Sequence, residues 1–126
     1  MLETKKGAMD MAKIAIVLLS GKDHPARALS GLHVAKRIYD ARKENAIDDV
    51  EVFLFTDGLR VIGEPEGELN RFVNKLIEAD IVVGGCSNQL NSWNLADEAK
   101  AAGINAEFAR DAFSRYAREG YTVMTF

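Results

Sequence analysis

Apolar residues in this chain follow two rhythms that take turns, unbroken short runs and helical spacings of three and four. Ile14-Ala15-Ile16-Val17-Leu18-Leu19, entered through Lys13, is an unbroken run closed by Ser20-Gly21-Lys22-Asp23. That is the pattern of a strand buried on both faces. Asp23 or His24 is placed to cap the next element, with Pro25 in its first turn, where a missing N–H costs little. Ala28, Leu32, Ala35 and Tyr39 then recur with Leu29 and Ile38 beside them, which predicts an amphipathic helix from Pro25 to about Asn45. Val50 to Thr56 reads as a second strand, turned by Asp57-Gly58. A loop through Gly63 and Pro65 leads to Glu66-Gly67-Glu68, acidic residues suited to a helix start. Leu69, Phe72, Val73, Leu76 and Ile77 give that helix the cleanest periodicity in the chain.

The rhythm repeats more weakly after that. Asp80-Ile81-Val82-Val83-Gly84 predicts a short buried strand, Gly85 to Asn91 a loop, and Ser92 to Ala102 an alanine-rich helix stopped by Gly103. Ile104 to Ala109 predicts a fourth strand. Ala109, Ala112, Phe113 and Tyr116 mark a short helix ending at Gly120, and Tyr121 to Phe126 is β-rich. Strand and helix alternate throughout, so the expected fold is α/β: a parallel sheet covered by helices on both faces, joined by right-handed crossovers.

Composition narrows the class without changing the fold. The chain has 126 residues, 48% hydrophobic and 28% charged, a globular profile of one domain over residues 12–126 with a loose extension at 1–11. A net charge of −3 gives no reason to expect nucleic acid or an anionic membrane as partner, and the basic residues are interleaved with acids. No stretch approaches the ~20 apolar residues of a membrane span, and residues 1–11 lack the apolar core of a signal peptide. The expected location is the cytoplasm. A single cysteine, Cys86, excludes an intramolecular disulfide and a multi-cysteine zinc site. No H-x-x-x-H or H-E-x-x-H spacing points to a metal, and neither G-x-x-x-x-G-K-[ST] nor G-x-G-x-x-G is present, so no cofactor is called for.

Candidate chemistry gathers where the strands end. In an open α/β sheet ligands bind beyond the carboxyl ends of the strands, which here are Ser20 to His24, Thr56 to Gly63, Gly84 to Ser92 and the turn near Arg110. Cys86 is the candidate reactive group. Gly84 and Gly85 before it leave the sulfur uncrowded, and Ser87 and Asn88 begin a polar run whose backbone N–H groups favour an anionic sulfur. The competing reading is a small apolar filler, since free cysteine is among the most buried residue types. Ser20-Gly21 before a helix offers an anion site or a plain crossover loop. His24 is either a ligand-binding or a capping residue. Asp57 stands at a strand end, either as a site carboxylate or as half of an Asp-Gly turn. Trp93 either packs over the site, anchors a subunit or seats its helix. The candidate ligand-binding set is Ser20, Gly21, His24, Asp57, Gly85, Ser87 and Asn88 around Cys86.

In order, these features resemble the DsrE/DsrF-like proteins of sulfur relay. The likeness rests on the first strand Lys13-Ile14-Ala15-Ile16-Val17 with its helix through Ala28–Ile38, and on Val52-Phe53-Leu54-Phe55 running into Asp57-Gly58-Leu59. Cys86 just past the third strand, Ala102-Gly103-Ile104 after the next helix, and the final Val123-Met124-Thr125-Phe126 complete it. The resemblance covers residues 12–126. It implies a three-layer α/β/α sandwich with a five-stranded parallel sheet, assembly as a homotrimer or homohexamer, and Cys86 as a persulfide acceptor between sulfur donor and acceptor proteins. The stretch Gly85-Cys86-Ser87-Asn88-Gln89-Leu90-Asn91 is more polar than the apolar continuation usual in sulfur-relay members. The alternative is a non-catalytic oligomeric binding module of the same fold, holding a small ligand or protein at the carboxyl edge.

Overall fold

A computed structural model describes residues 12–126, so the expected extension at 1–11 lies outside the described residues. Five strands, β1 (Lys13–Leu18), β2 (Asp49–Leu54), β3 (Val82–Cys86), β4 (Asn105–Glu107) and β5 (Tyr121–Thr125), form one parallel sheet. Their order is β4-β3-β2-β1-β5. The chain steps outward from β1 to β4, then crosses back to place β5 beside β1. With right-handed crossovers, the helices between β1 and β4 lie on one face and the helix before β5 on the other. The first set comprises α1 (Pro25–Asp40), α2 (Asp57–Arg60), α3 (Glu68–Glu78), α4 (Ser87–Ser92) and α5 (Ala96–Ala102); α6 (Ala109–Arg118) lies alone opposite them. This is the three-layer α/β fold that the alternation predicts.

The periodic residues do what their spacing requires. Ala28, Leu32 and Ala35 of α1 and Val73 and Leu76 of α3 are buried, and they join Ile16, Leu18, Val52 and Leu54 in the core. Four boundaries differ from the sequence expectation. Helix α1 stops at Asp40, where Arg42 donates to the Tyr39 carbonyl (2.7 Å) and stacks on its ring, capping the end with a basic side chain. Thr56 to Gly63 is not a loop but α2 followed by a 3₁₀ turn at Val61–Gly63. The expected loop Gly85–Asn91 is the end of β3 followed directly by α4, and the next helix starts at Ala96 rather than Ser92. Strand β4 keeps only three residues, because Ile104 turns into the core and Phe108 caps α6.

One helix cannot cover five strands. On the α6 face the centre is filled by Phe53, Phe55, Phe113 and Tyr116, whose rings pack edge-on or tilted at 5.5–6.4 Å. Val82 (42% exposed) and Val123 (45%) remain open on either side of it.

Candidate functional site

At the carboxyl edge, β2, β3 and β4 end around a cleft of about 460 Å³. Phe55 comes from the end of β2, Cys86 from the last residue of β3, Asn88 and Gln89 from α4, and Phe108, Ala109 and Arg110 from the start of α6. Two of the four edge segments, Gly84 to Ser92 and the turn near Arg110, therefore meet here, with Phe55 just before a third. The parallel register explains it: Phe53 lies opposite Gly84 and Cys86 opposite Glu107, so Phe55, Cys86 and the residue after Glu107 arrive side by side. Cys86 is only 4% exposed and sits in the wall where strand becomes helix, not in an open loop.

The glycines before it act differently from the expectation. Both are extended residues of β3, and what they supply is room for neighbours. A Cβ on Gly84 would lie 3.1 Å from the Phe53 ring, and one on Gly85 would lie 2.8 Å from Leu59. They seat aromatic and aliphatic groups against the strand rather than uncrowding the sulfur.

Of the ligand-binding set, the cleft brings only Asn88 to Cys86. Ser87 lines a separate depression with Asn105 and Lys100. His24 is exposed in a shallow hollow with Asp23 and Arg27, and Asp57 sits in the first turn of α2, 3.6 Å from Arg60. Neither lines the cleft, so neither serves Cys86 as a base there. Ser20-Gly21 is not a free anion cradle. The N–H groups of Leu19 and Ser20 donate to the Phe126 carbonyl (2.7 and 3.2 Å) and that of Gly21 to Asp23 Oδ1 (2.8 Å). That last bond, by favouring the carboxylate, holds the Asp23 pKa below the usual value. The crevice between β1 and β5, where the strand order reverses, is thus closed by Phe126, whose ring packs on Gly31. Trp93 also lies outside the cleft, with its ring 3.8 Å from the Arg60 guanidinium.

Two features escape sequence reading. The first is the clasp between Gln89 and Thr56. The Thr56 N–H donates to Gln89 Oε1 at 2.8 Å, and Thr56 sits at φ +55, ψ −128, where non-glycine residues are strained. The second is an ion cluster beneath α6. Arg115 Nη1 and Nη2 donate to Glu51 (3.2 and 3.0 Å), while Nε and Nη2 donate to Glu107 (3.2 and 3.1 Å). The Tyr121 hydroxyl donates toward Asp49 and Glu51. Bonds to Glu107 first, then Glu51, push the Arg115 pKa up, and burial, then the Asp49 bond, raises that of Tyr121. The one sequence signal for this cluster is Glu51, an acid within the apolar run Val50 to Phe55, where a charge needs a buried partner. Arg115 ties β2 to β4 across β3, and Glu107 immediately precedes the cleft residue Phe108.

The fold and cleft define a three-layer α/β domain with an all-parallel 4-3-2-1-5 sheet and a cleft lined by Cys86 at its carboxyl edge. No family model and no curated protein matches the sequence. Solved structures share the fold. A conserved protein of unknown function, BT1422 from Bacteroides thetaiotaomicron, matches with a TM-score of 0.68 at 12% identity, covering 90% of this chain and 94% of that one. A protein of unknown function, MTH1491 from Methanobacterium thermoautotrophicum, gives 0.66 at 14% identity, covering 91% and 99%. The ychN protein from E. coli gives 0.63 at 16% identity, covering 90% and 99%. Among the described residues no helix is long and apolar enough to cross a membrane, and no group of three His, Cys, Asp or Glu is placed to hold a metal ion.

Proposed function

We propose that this protein is a sulfur carrier or sulfurtransferase subunit of the DsrE-like kind, using Cys86 as persulfide acceptor. The observation that carries the reading is that the single cysteine of the sequence lines the cleft at the carboxyl edge of the sheet. With one thiol, a second sulfur must come from another molecule. In the reaction, the Cys86 thiolate attacks the outer sulfur of a donor persulfide. A new S–S bond forms on Cys86, the donor S–S bond breaks, and the donor leaves as a thiolate that takes up a proton. No net oxidation occurs, so no redox cofactor is needed. Sulfur donor and acceptor proteins, and a homotrimeric or homohexameric assembly in the cytoplasm, belong to this same reading.

The burial of Cys86 favours a second reading, a binding module in which the thiol only shapes the floor of a ligand cleft. Incubation with a small persulfide donor, followed by intact mass measurement, separates the two. The carrier gains about 32 Da, one sulfur atom, removable by a reducing thiol. Cys86→Ser gains nothing while its circular dichroism is unchanged. Equal labelling of that variant, or no labelling of the wild type, rejects the carrier.

A further inference from the structure

We propose that the Cys86 cleft selects a small anionic ligand, a carboxylate-bearing thiol or persulfide, and that Gln89 is the residue that reads its negative charge. This deepens the carrier reading and rests on it only in taking Cys86 as the reacting atom.

The Gln89 amide has a fixed orientation. A backbone N–H can only donate, so the end of Gln89 that meets the Thr56 N–H at 2.8 Å is its oxygen. The amide nitrogen, on the other branch of the same carbon, is turned away from Thr56. Gln89 lines the cleft, and among the described residues its NH₂ group donates to no protein atom. Two hydrogen-bond donors of a cleft-lining residue therefore remain open to a ligand or solvent. The clasp is held firmly. Thr56 keeps a backbone conformation that costs of order 1–3 kcal/mol in a non-glycine residue, and its Oγ1 lies within hydrogen-bond distance of the Leu19 and Phe55 carbonyls (3.0 and 2.7 Å). A side chain anchored through its amide oxygen is a preorganised donor.

One cation belongs to the lining. Arg110 stands at the cleft, largely exposed and paired with the Asp111 carboxylate (3.0 Å), and no carboxylate is itself among the lining residues. Phe55 and Phe108 give apolar walls. A cleft of about 460 Å³ is of the size that holds a metabolite-sized molecule. Amide donors, one cation and two rings complement an anion on a short apolar body.

Paired alkylation of Cys86 tests this with two reagents of nearly equal size, anionic iodoacetate and neutral iodoacetamide. Each ratio of rates is referred to the same chain unfolded in urea, which removes intrinsic reactivity. In the folded protein the iodoacetate-to-iodoacetamide ratio should exceed the unfolded reference by roughly tenfold, the value of a hydrogen bond to a charged group. Gln89→Glu keeps the oxygen for Thr56 but replaces the donors, so it should lower the ratio to or below the reference with the melting temperature unchanged. Gln89→Met removes the donors without adding charge and should also return the ratio to the reference. A wild-type ratio at the reference, a Gln89→Met ratio equal to wild type, or a folded Cys86 that reacts with neither reagent overturns the proposal. A ratio that holds while sulfane loading fails supports the anion site and rejects the carrier; the reverse rejects the anion site alone.

Discussion

Arg115→Met should lower the unfolding free energy by about 2–3 kcal/mol, at or just below the roughly 3–5 kcal/mol that breaking a fully buried ion pair costs, because the Arg115 side chain is partly exposed. In a domain of this size that is a fall of roughly 8–10 °C in melting temperature. The reason is the geometry of one guanidinium. Its Nη1/Nη2 edge holds Glu51 and its Nε/Nη2 edge holds Glu107, with Glu119 at 3.8 Å. Glu51 is 8% exposed, so without the cation its charge stays desolvated and opposed by Glu107. Methionine keeps the apolar stem and removes only the charge. Lysine cannot span both carboxylates with a single ammonium, so Arg115→Lys should also destabilise, by a smaller amount. Urea titration reads both variants, with the midpoint falling and the slope unchanged. A wild-type midpoint in Arg115→Met would show that the cluster does not tie β2 to β4.

Gly58→Ala should cost about 3 kcal/mol or more, beyond the usual range for overpacking. A Cβ there would stand 2.1 Å from the Leu18 carbonyl oxygen and 2.7 Å from its carbon. Backbone cannot swing aside as a side chain can. That carbonyl accepts the Phe55 N–H at 3.0 Å, so moving it breaks a bond between the ends of β1 and β2. Gly21 meets the same constraint from the other side, with a Cβ position 2.3 Å from the Asp57 oxygen. The segments after β1 and β2 are thus pressed backbone to backbone, and that contact holds Phe55 at the cleft and Thr56 against Gln89. The variant should lose stability in urea and the Thr56–Gln89 clasp together. A stability within about 1 kcal/mol of wild type, inside the ordinary scatter of point substitutions, contradicts this packing.

The alternation of strands and helices was legible because it rests on side-chain periodicity, which is local. Ala28, Leu32 and Ala35 announce the buried face of α1, and Val73 and Leu76 that of α3, without knowledge of what they face. Strand order was not legible, since nothing in Tyr121–Thr125 says that it pairs with β1 rather than β4. Helix α4 was hidden because Ser, Asn and Gln carry no apolar rhythm; only Leu90 is buried in it. The carboxyl edge as the place of the cleft followed from topology. Its membership did not, because Phe108 and Arg110 reach Cys86 only through the pairing of β3 with β4. Gln89 and Thr56 are 33 residues apart, and neither residue type betrays a strained turn or an oriented amide.

Chemistry at Cys86 requires that its sulfur be reached through the cleft and not through unfolding. The rate of iodoacetamide reaction at Cys86, followed as urea rises below the unfolding transition, measures this directly. Access through the cleft predicts a rate independent of urea, within about a hundredfold of the unfolded chain, far above the protection of roughly a thousandfold or more that a stably folded core gives its interior. A rate that climbs with urea along the slope of global unfolding would show the thiol to be sealed in the core, and would contradict the account.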